Sequence, residues 1–375
     1  MKKLFLVCYF ISFLIPTLTF SVSMPKKTVQ KEDIYIVVLA GGNGERLWPL
    51  SRKTNPKQLL TIENDQTLLD QSVNRVKSLV NKETIWISTT QQHASKIEEM
   101  VSGTVGRVFA EPGLRNTGPA ILLSCLEIYK KNPNAIIIFV PADQFIPAKD
   151  NEKYLQFLEE AIDYVVSYDT ITLLGVRPTY PATGYGYIEF ENENSTQMPY
   201  QVKKFHEKPL LEVAQQYLDS GSMLWNIGMF CGKASVFIQE FQLHAHDIYD
   251  GVKDFLEGRR PYDSIKSESI DYAVMEKSKR ITVLPVNFSW YDIGNIEIFL
   301  TIKNACGGLS KNRTISAESK NNLVDVPNKL VALIGVEDLC VVETDEVLLI
   351  TKRNEAEKVR AIVKTLKEST LKEYL

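Results

Sequence analysis

Along residues 1–300, short apolar runs alternate with stretches whose apolar positions recur at helical spacing. Runs at 34–39, 84–88, 107–110, 135–140 and 171–176 predict buried strands. Between them, Leu68, Leu69, Ser72, Val73, Val76 and Leu79 fall on one helical face, and Ala120, Leu123, Leu126 and Ile128 do so less regularly. Strands alternating with helices build βαβ units. The expected fold is therefore α/β, a Rossmann-like, mostly parallel mixed sheet flanked by helices on both faces. In such sheets ligands sit beyond the carboxyl ends of the strands, so the loops after Leu39 and Val140 are the first candidates for a site.

The pattern changes toward the C-terminus. Apolar runs at 330–336, 339–342 and 347–350 follow one another closely, with charged turns such as Val336-Glu337-Asp338 between them. Ala356, Val359, Ile362, Val363 and Leu366 then make one stripe of a closing helix. Strands repeating this closely leave no room for helices, which predicts a small β-solenoid-like, left-handed β-helix-like domain over 323–375. The polar stretch 304–322 is the expected linker, and 33–303 the catalytic domain. Residues 1–23 stand apart: Lys2 and Lys3 precede an apolar run at 4–20 and then Ser21-Val22-Ser23, the pattern of a secretory leader. The alternative is a misassigned start, with Met24 as the first residue.

Composition narrows the field. With 375 residues, 44% of them hydrophobic and 24% charged, the chain is long enough for one large domain and a small appendage. A net charge of -3 gives no footprint for nucleic acid, so an anionic ligand must be met by local Lys and Arg residues. Five cysteines without a CxxC pair argue against a disulfide framework and fit a reducing compartment, and the four histidines show no zinc spacing.

The loop after the first strand carries the chemistry. Leu39-Ala40-Gly41-Gly42-Asn43-Gly44-Glu45-Arg46-Leu47 lets the backbone turn sharply and present N–H groups to phosphate oxygens. It is neither a Walker A loop nor a dinucleotide fingerprint, and alone it would mean only a tight turn. Arg46 offers a planar fork and Lys57, in Pro56-Lys57-Gln58, a point charge; together they could neutralise charge on a pentacoordinate phosphorus and its leaving pyrophosphate. The run from Gly41 through Leu47-Trp48-Pro49-Leu50-Ser51-Arg52 to Asn55-Pro56-Lys57-Gln58-Leu59 resembles the signature of sugar nucleotidyltransferases. More narrowly it resembles their mannose-1-phosphate guanylyltransferase (GDP-mannose pyrophosphorylase) branch. The resemblance implies the nucleotide-diphospho-sugar transferase type of fold.

The resemblance also assigns the other segments. Ala110-Glu111-Pro112-Gly113-Leu114-Arg115-Asn116-Thr117-Gly118-Pro119-Ala120 is similar to an element of the guanylyl, mannose-specific branch, although Thr117 would equally serve as a helix cap. The implied nucleotide site is Leu39, Ala40, Gly41, Gly42, Gly44, Arg46, Lys57, Arg115, Asn116 and Thr117. Asp143, ending Val140-Pro141-Ala142-Asp143, and Asp292, in Trp290-Tyr291-Asp292-Ile293-Gly294, are the implied Mg²⁺ ligands. Each could otherwise be a cap or turn aspartate. Gln144 stands where the family usually has His. Gly184, Tyr185, Glu189, Glu207, Lys208 and Asn226 are the implied sugar-phosphate site, and 269–276 agrees with the same branch while also suiting core packing.

The activity the resemblance implies is transfer of GMP from GTP to mannose 1-phosphate, with Arg46, Lys57 and Asp143 catalytic and Mg²⁺ as cofactor. The alternatives are another base or sugar 1-phosphate, or a catalytically inactive regulatory subunit that binds GDP-mannose. A glycosyltransferase would want a paired Asp-x-Asp, which the stretch from Asp150 lacks. A further isomerase domain, found in some relatives, is not expected in a chain of this length. Partners are expected to be the two substrates and a second copy of the chain through the C-terminal region, with no nucleic acid and no stable membrane association. GTP supply places the expected site of action in the cytoplasm, against the leader-like pattern at 1–23.

Overall fold

Strand β1 (Ile34–Leu39) shows how the core is divided: Ile34, Ile36 and Val38 pack on one side of the sheet and Tyr35 and Val37 on the other. Successive side chains of a strand point to opposite faces, so a strand covered on both faces reads as a continuous apolar run. The computed structural model describes residues 29–42, 44–63, 65–191, 198–309 and 313–375. The leader-like segment 1–23 lies outside the described residues.

Helices α1 (Leu68–Val76), α2 (Gln91–Met100) and α4 (Asn151–Ser167) cover one face of the sheet. On the other lie α3 (Thr117–Lys131), α6 (Ala234–His244) and α7 (His246–Leu256), and α5 (Leu211–Ser220) packs separately near Trp225. Thr67 caps α1 in a reciprocal capping box with Asp70, which explains the sharp start of that helix after the signature loop.

The nine-stranded sheet joins two halves. In the first, β1, β2 (Ile85–Thr90), β3 (Arg107–Glu111) and β4 (Ile136–Pro141) are parallel, in the order β3-β2-β1-β4. The second contains β6 (Ile171–Val176), β7 (Tyr187–Phe190), β8 (Tyr200–His206), β9 (Met223–Lys233) and β10 (Ile281–Val286). Strand β9 runs antiparallel between β4 and β6, so the sheet is mixed, as expected, but parallel pairings do not dominate it. The alternating pattern of the first half supports the parallel expectation; the residues of the long β9 mark it as a site segment and not as a strand. A separate ribbon pairs β5 (Gln144–Phe145) with β11 (Tyr291–Asp292), Gln144 opposite Asp292.

The C-terminal part contains β12 (Thr314–Ala317), β13 (Leu323–Asp325), β14 (Val331–Ile334), β15 (Leu339–Glu343) and β16 (Leu348–Lys352), then α9 (Val359–Glu368). The polar stretch expected to be a linker therefore holds a strand, β12, paired in parallel with β14. Its exposed alternation hid it from an apolar-run reading. Strand β13 pairs in parallel with β15, and side chains of Ser319 and Asn322 accept from the Val336 and Leu339 amides, each 17 residues on. Strand β16 turns back antiparallel on β15. Helix α8 (Ile296–Ala305) connects this part to the sheet and shares one apolar cluster with it, together with Leu47, Trp48, Val359, Val363 and Leu366.

Candidate active site

The first loop is shaped by Lys57. Gly44 has φ +65, and a Cβ there would lie 2.6 Å from the Lys57 Cβ and 2.7 Å from the Ser51 Oγ, so only glycine fits. Gly41 and Gly42 face open space instead, which leaves the backbone accessible to a ligand. Gln58 Nε2 and Thr89 Oγ1 donate to the Ala40 carbonyl at 2.7 and 2.9 Å and fix the loop's root.

Lys57 is only 7% exposed, and its ammonium donates to Asp143 Oδ2 at 3.0 Å and to Asp292 Oδ1 at 3.1 Å. The β5–β11 ribbon makes this convergence, because it sets the residue after Asp143 directly opposite Asp292. Burial works against the Lys57 charge, but the two carboxylates outweigh it and raise the pKa. Gln144 is buried, its Nε2 donating to the Ile227 carbonyl at 2.7 Å.

Asp143, Gln144 and Asp292 border a cleft of about 560 Å³ at the carboxyl ends of β1 and β4. Of the residues expected at the site, Leu39, Ala40, Gly41, Gly42, Asn116, Thr117, Asp143 and Asp292 line it, as do Gly184, Tyr185, Glu207, Lys208 and Asn226. Gly44, Arg46, Lys57, Arg115 and Glu189 do not, although Lys57 bonds to two residues that do. Arg46 Nε lies 3.9 Å from Glu357 Oε2, Arg115 is held by Asp263, and Glu189 faces His206 at 4.0 Å. Thr117 is not the cap of α3. Asn116, at φ +66, accepts the Thr117 amide proton at 2.8 Å, and the Thr117 hydroxyl accepts from the Ile270 amide at 3.1 Å.

The far wall holds a polar cluster. Lys208 sits at φ +47 and pairs with Glu207. Burial again opposes the Lys208 charge, and Glu207 outweighs it, raising the pKa. Asn226 spans the cluster: its Nδ2 donates to Asp271 Oδ1 and its Oδ1 accepts from the Gly228 amide, each at 3.0 Å. Burial, with Glu207 nearby, pushes the Asp271 carboxyl up to about 7. Tyr185 stands edge-on to Trp225 and Trp290 at 5.1 and 5.3 Å, an aromatic wall suited to a sugar ring.

Among the lining residues with no expected role are Asp271, Glu111 and Trp290. Glu111 is 4% exposed, accepts from Ser88 Oγ at 2.8 Å and the Tyr262 hydroxyl at 3.0 Å, and burial raises its pKa. Asp271 and Glu111 each lie inside a quoted motif, and a charged residue breaking an otherwise apolar stretch was the signal available.

Residues 35–308 match the family model for nucleotidyl transferases, and 312–366 match the MannoseP isomerase/GMP-like beta-helix domain. The chain is 36% identical over 359 residues to a mannose-1-phosphate guanylyltransferase of Salmonella montevideo, spanning 90% of this chain and 75% of that one. The chain belongs to the mannose-1-phosphate guanylyltransferase branch of the nucleotidyl transferase family. Within this branch it is also 32% identical to the alginate biosynthesis protein AlgA of Pseudomonas aeruginosa, over 88% of this chain and 71% of that one. A crystal structure described as mannose-1-phosphate geranyltransferase from Thermus thermophilus superposes with a TM-score of 0.80 at 29% identity, covering 89% of this chain and 99% of that chain.

Nucleotidyl transferases of this family generally use a divalent metal. The donor set fits one: Asp143 and Asp292 bring two carboxylates to a single cation, and their side chains are 40% and 30% exposed beside the cleft. Among the described residues no group of three or more His, Cys, Asp or Glu could hold a metal ion. Two carboxylates completed by substrate phosphates and water suit a small hard cation. No helix among the described residues is long and apolar enough to cross a membrane.

Proposed function

We propose that the protein transfers GMP from GTP to α-D-mannose 1-phosphate, releasing pyrophosphate. The observation that carries this reading is the convergence of Asp143 and Asp292 on Lys57 beside a cleft that Lys208, Glu207, Asn226 and Asp271 also border. The two clusters supply the parts for a triphosphate and for a sugar phosphate. In the reaction an oxygen of the sugar phosphate attacks the α-phosphorus in line, a new P–O bond forms, and the bond to the β-phosphate bridging oxygen breaks. The nucleophile is already anionic, so no general base is needed; positioning and charge stabilisation carry the rate.

Each group then has a place. The open glycines Gly41 and Gly42 admit the triphosphate to the backbone, and Lys57 meets the phosphate charge. Arg46 reaches the pyrophosphate after leaving Glu357, an exposed pair that costs little to break. Asn116 and Thr117 at the start of α3 sit on the nucleotide side, with Arg115 beside them. Lys208 holds the attacking phosphate, while Glu207, Asn226, Gly184 and Tyr185 border the sugar, with Glu189 behind them. Asp143 and Asp292 would hold Mg²⁺, which supplies charge neutralisation on the phosphates.

Pyrophosphate release measured over a matrix of nucleoside triphosphates and sugar 1-phosphates tests this. GTP with mannose 1-phosphate should give the highest kcat/KM; a preference for another pair reassigns the specificity, and no turnover with tight GDP-mannose binding identifies a sensor. GTP supply places the reaction in the cytoplasm. We read the strand pairs offset by 17 residues as a short β-helix, and propose that copies associate there, where Ile334, Leu348 and Ile350 are 75%, 57% and 59% exposed. Sedimentation of the full chain reads that association directly.

A further inference from the structure

Beside the β5–β11 ribbon lies a buried cation that forms no ion pair with any described residue. Arg75, on α1, is 7% exposed. Its Nε donates to Asn151 Oδ1 and one Nη to the Ile146 carbonyl, both at 3.0 Å, and its guanidinium carbon lies 5.3 Å from the centre of the Tyr154 ring. None of these partners is an anion, and no carboxylate among the described residues forms an ion pair with Arg75. Asp150, adjacent to Asn151, is turned instead to the Ser289 amide at 3.1 Å. A guanidinium keeps its proton in a protein, so this is a permanent buried charge, and such charges are normally paired.

The guanidinium lines a pocket of about 110 Å³ whose other polar walls are Gln66, Gln71, Asn74, Asn151 and Glu63. The four amide side chains can each turn an NH₂ inward. Asn151 also begins the 17-residue helix α4, so the positive end of a helix dipole lies at the same wall. The volume is far below that of nucleotide or drug-sized sites. It suits a single small oxyanion. Glu63 can accept a hydrogen bond only from an oxyanion that still carries a proton, which favours phosphate over sulfate.

We propose that this pocket binds a small protonated oxyanion of the inorganic phosphate class, with Arg75 as its counter-charge and the surrounding amides as neutral donors. Arg75 simultaneously holds Ile146, which directly follows β5. An anion seated here thereby braces the ribbon that brings Asp143 and Asp292 together.

The test is the thermal midpoint of the full chain in millimolar phosphate against sodium chloride of equal ionic strength. Phosphate should raise the midpoint by about 1–3 °C, and sulfate by less. The rise should persist in Lys208→Ala, which removes the phosphate-binding cation of the sugar end, and disappear in Arg75→Met. Asn151→Asp sets a carboxylate against the guanidinium; it should melt higher than the wild type without phosphate and no longer respond to it. That variant keeps the test decisive should Arg75→Met fail to fold. No rise beyond the chloride control, an equal rise with sulfate, a rise retained in Asn151→Asp, or one lost in Lys208→Ala would each overturn the assignment.

Discussion

Two carboxylates hold the Lys57 ammonium at 3.0 and 3.1 Å, so that one side chain touches both proposed metal ligands. Lys57→Ala or Asp143→Ala should each lower kcat by about two orders of magnitude or more, read as pyrophosphate release, with the fold retained by circular dichroism. Near-wild-type turnover in either would end the assignment. Asp271 makes a different prediction. Its pKa is raised from 3.8 to about 7, chiefly by burial, so the folded state retains a proton that the unfolded chain gives up. Its stabilising share is complete below pH 3.8 and is lost as the pH rises through about 7. The melting temperature of the wild type should therefore fall relative to Asp271→Asn between about pH 4 and pH 7. Parallel curves would refute the shift. Asp143 and Lys57 were legible as residues because a charge ending an apolar strand or following a glycine loop stands out. Asp271 was not, since its role depends on Asn226, Glu207 and Lys208, which reach it from other elements.

At the scale of elements, the signature loop is gripped by the C-terminal helix α9 and the residues that flank it. Lys367 pairs with Glu45 at 2.6 Å, Arg46 with Glu357 at 3.9 Å, and Trp48 Nε1 donates to the Tyr374 carbonyl at 2.7 Å. Under these polar contacts Val359, Val363 and Leu366 pack with Leu47 and Trp48. The ion pairs are exposed and contribute little, so Lys367→Ala should leave stability nearly unchanged. Leu366→Ala removes apolar wall and should cost about 2–4 kcal/mol in urea unfolding. It should also raise the KM for GTP, because the loop loses its support; an unchanged KM would separate the helix from the site. The helix itself was legible from its stripe of apolar positions. Its target was not, because periodicity tells that a face is buried and not what buries it.

Across the whole molecule, the cluster containing Leu47, Phe299, Leu323, Cys340, Val342 and Val363 runs from the signature loop through α8 into the C-terminal strands. Two units that share an apolar core lose it together. Calorimetry of the full chain should show one cooperative transition, and two resolved transitions would contradict a common core. The sequence by itself determined the alternating strands and helices of the first half, the glycine loop and the residue types of both substrate ends, because these depend on local periodicity and backbone freedom. Only the tertiary structure decided that Asp292 meets Asp143 at Lys57, that β9 runs against its neighbours, and that Arg46 rests on Glu357 while Arg75 meets only neutral partners. Those outcomes arise from pairings between distant segments, whose register is set by the packed core rather than by any short stretch of chain.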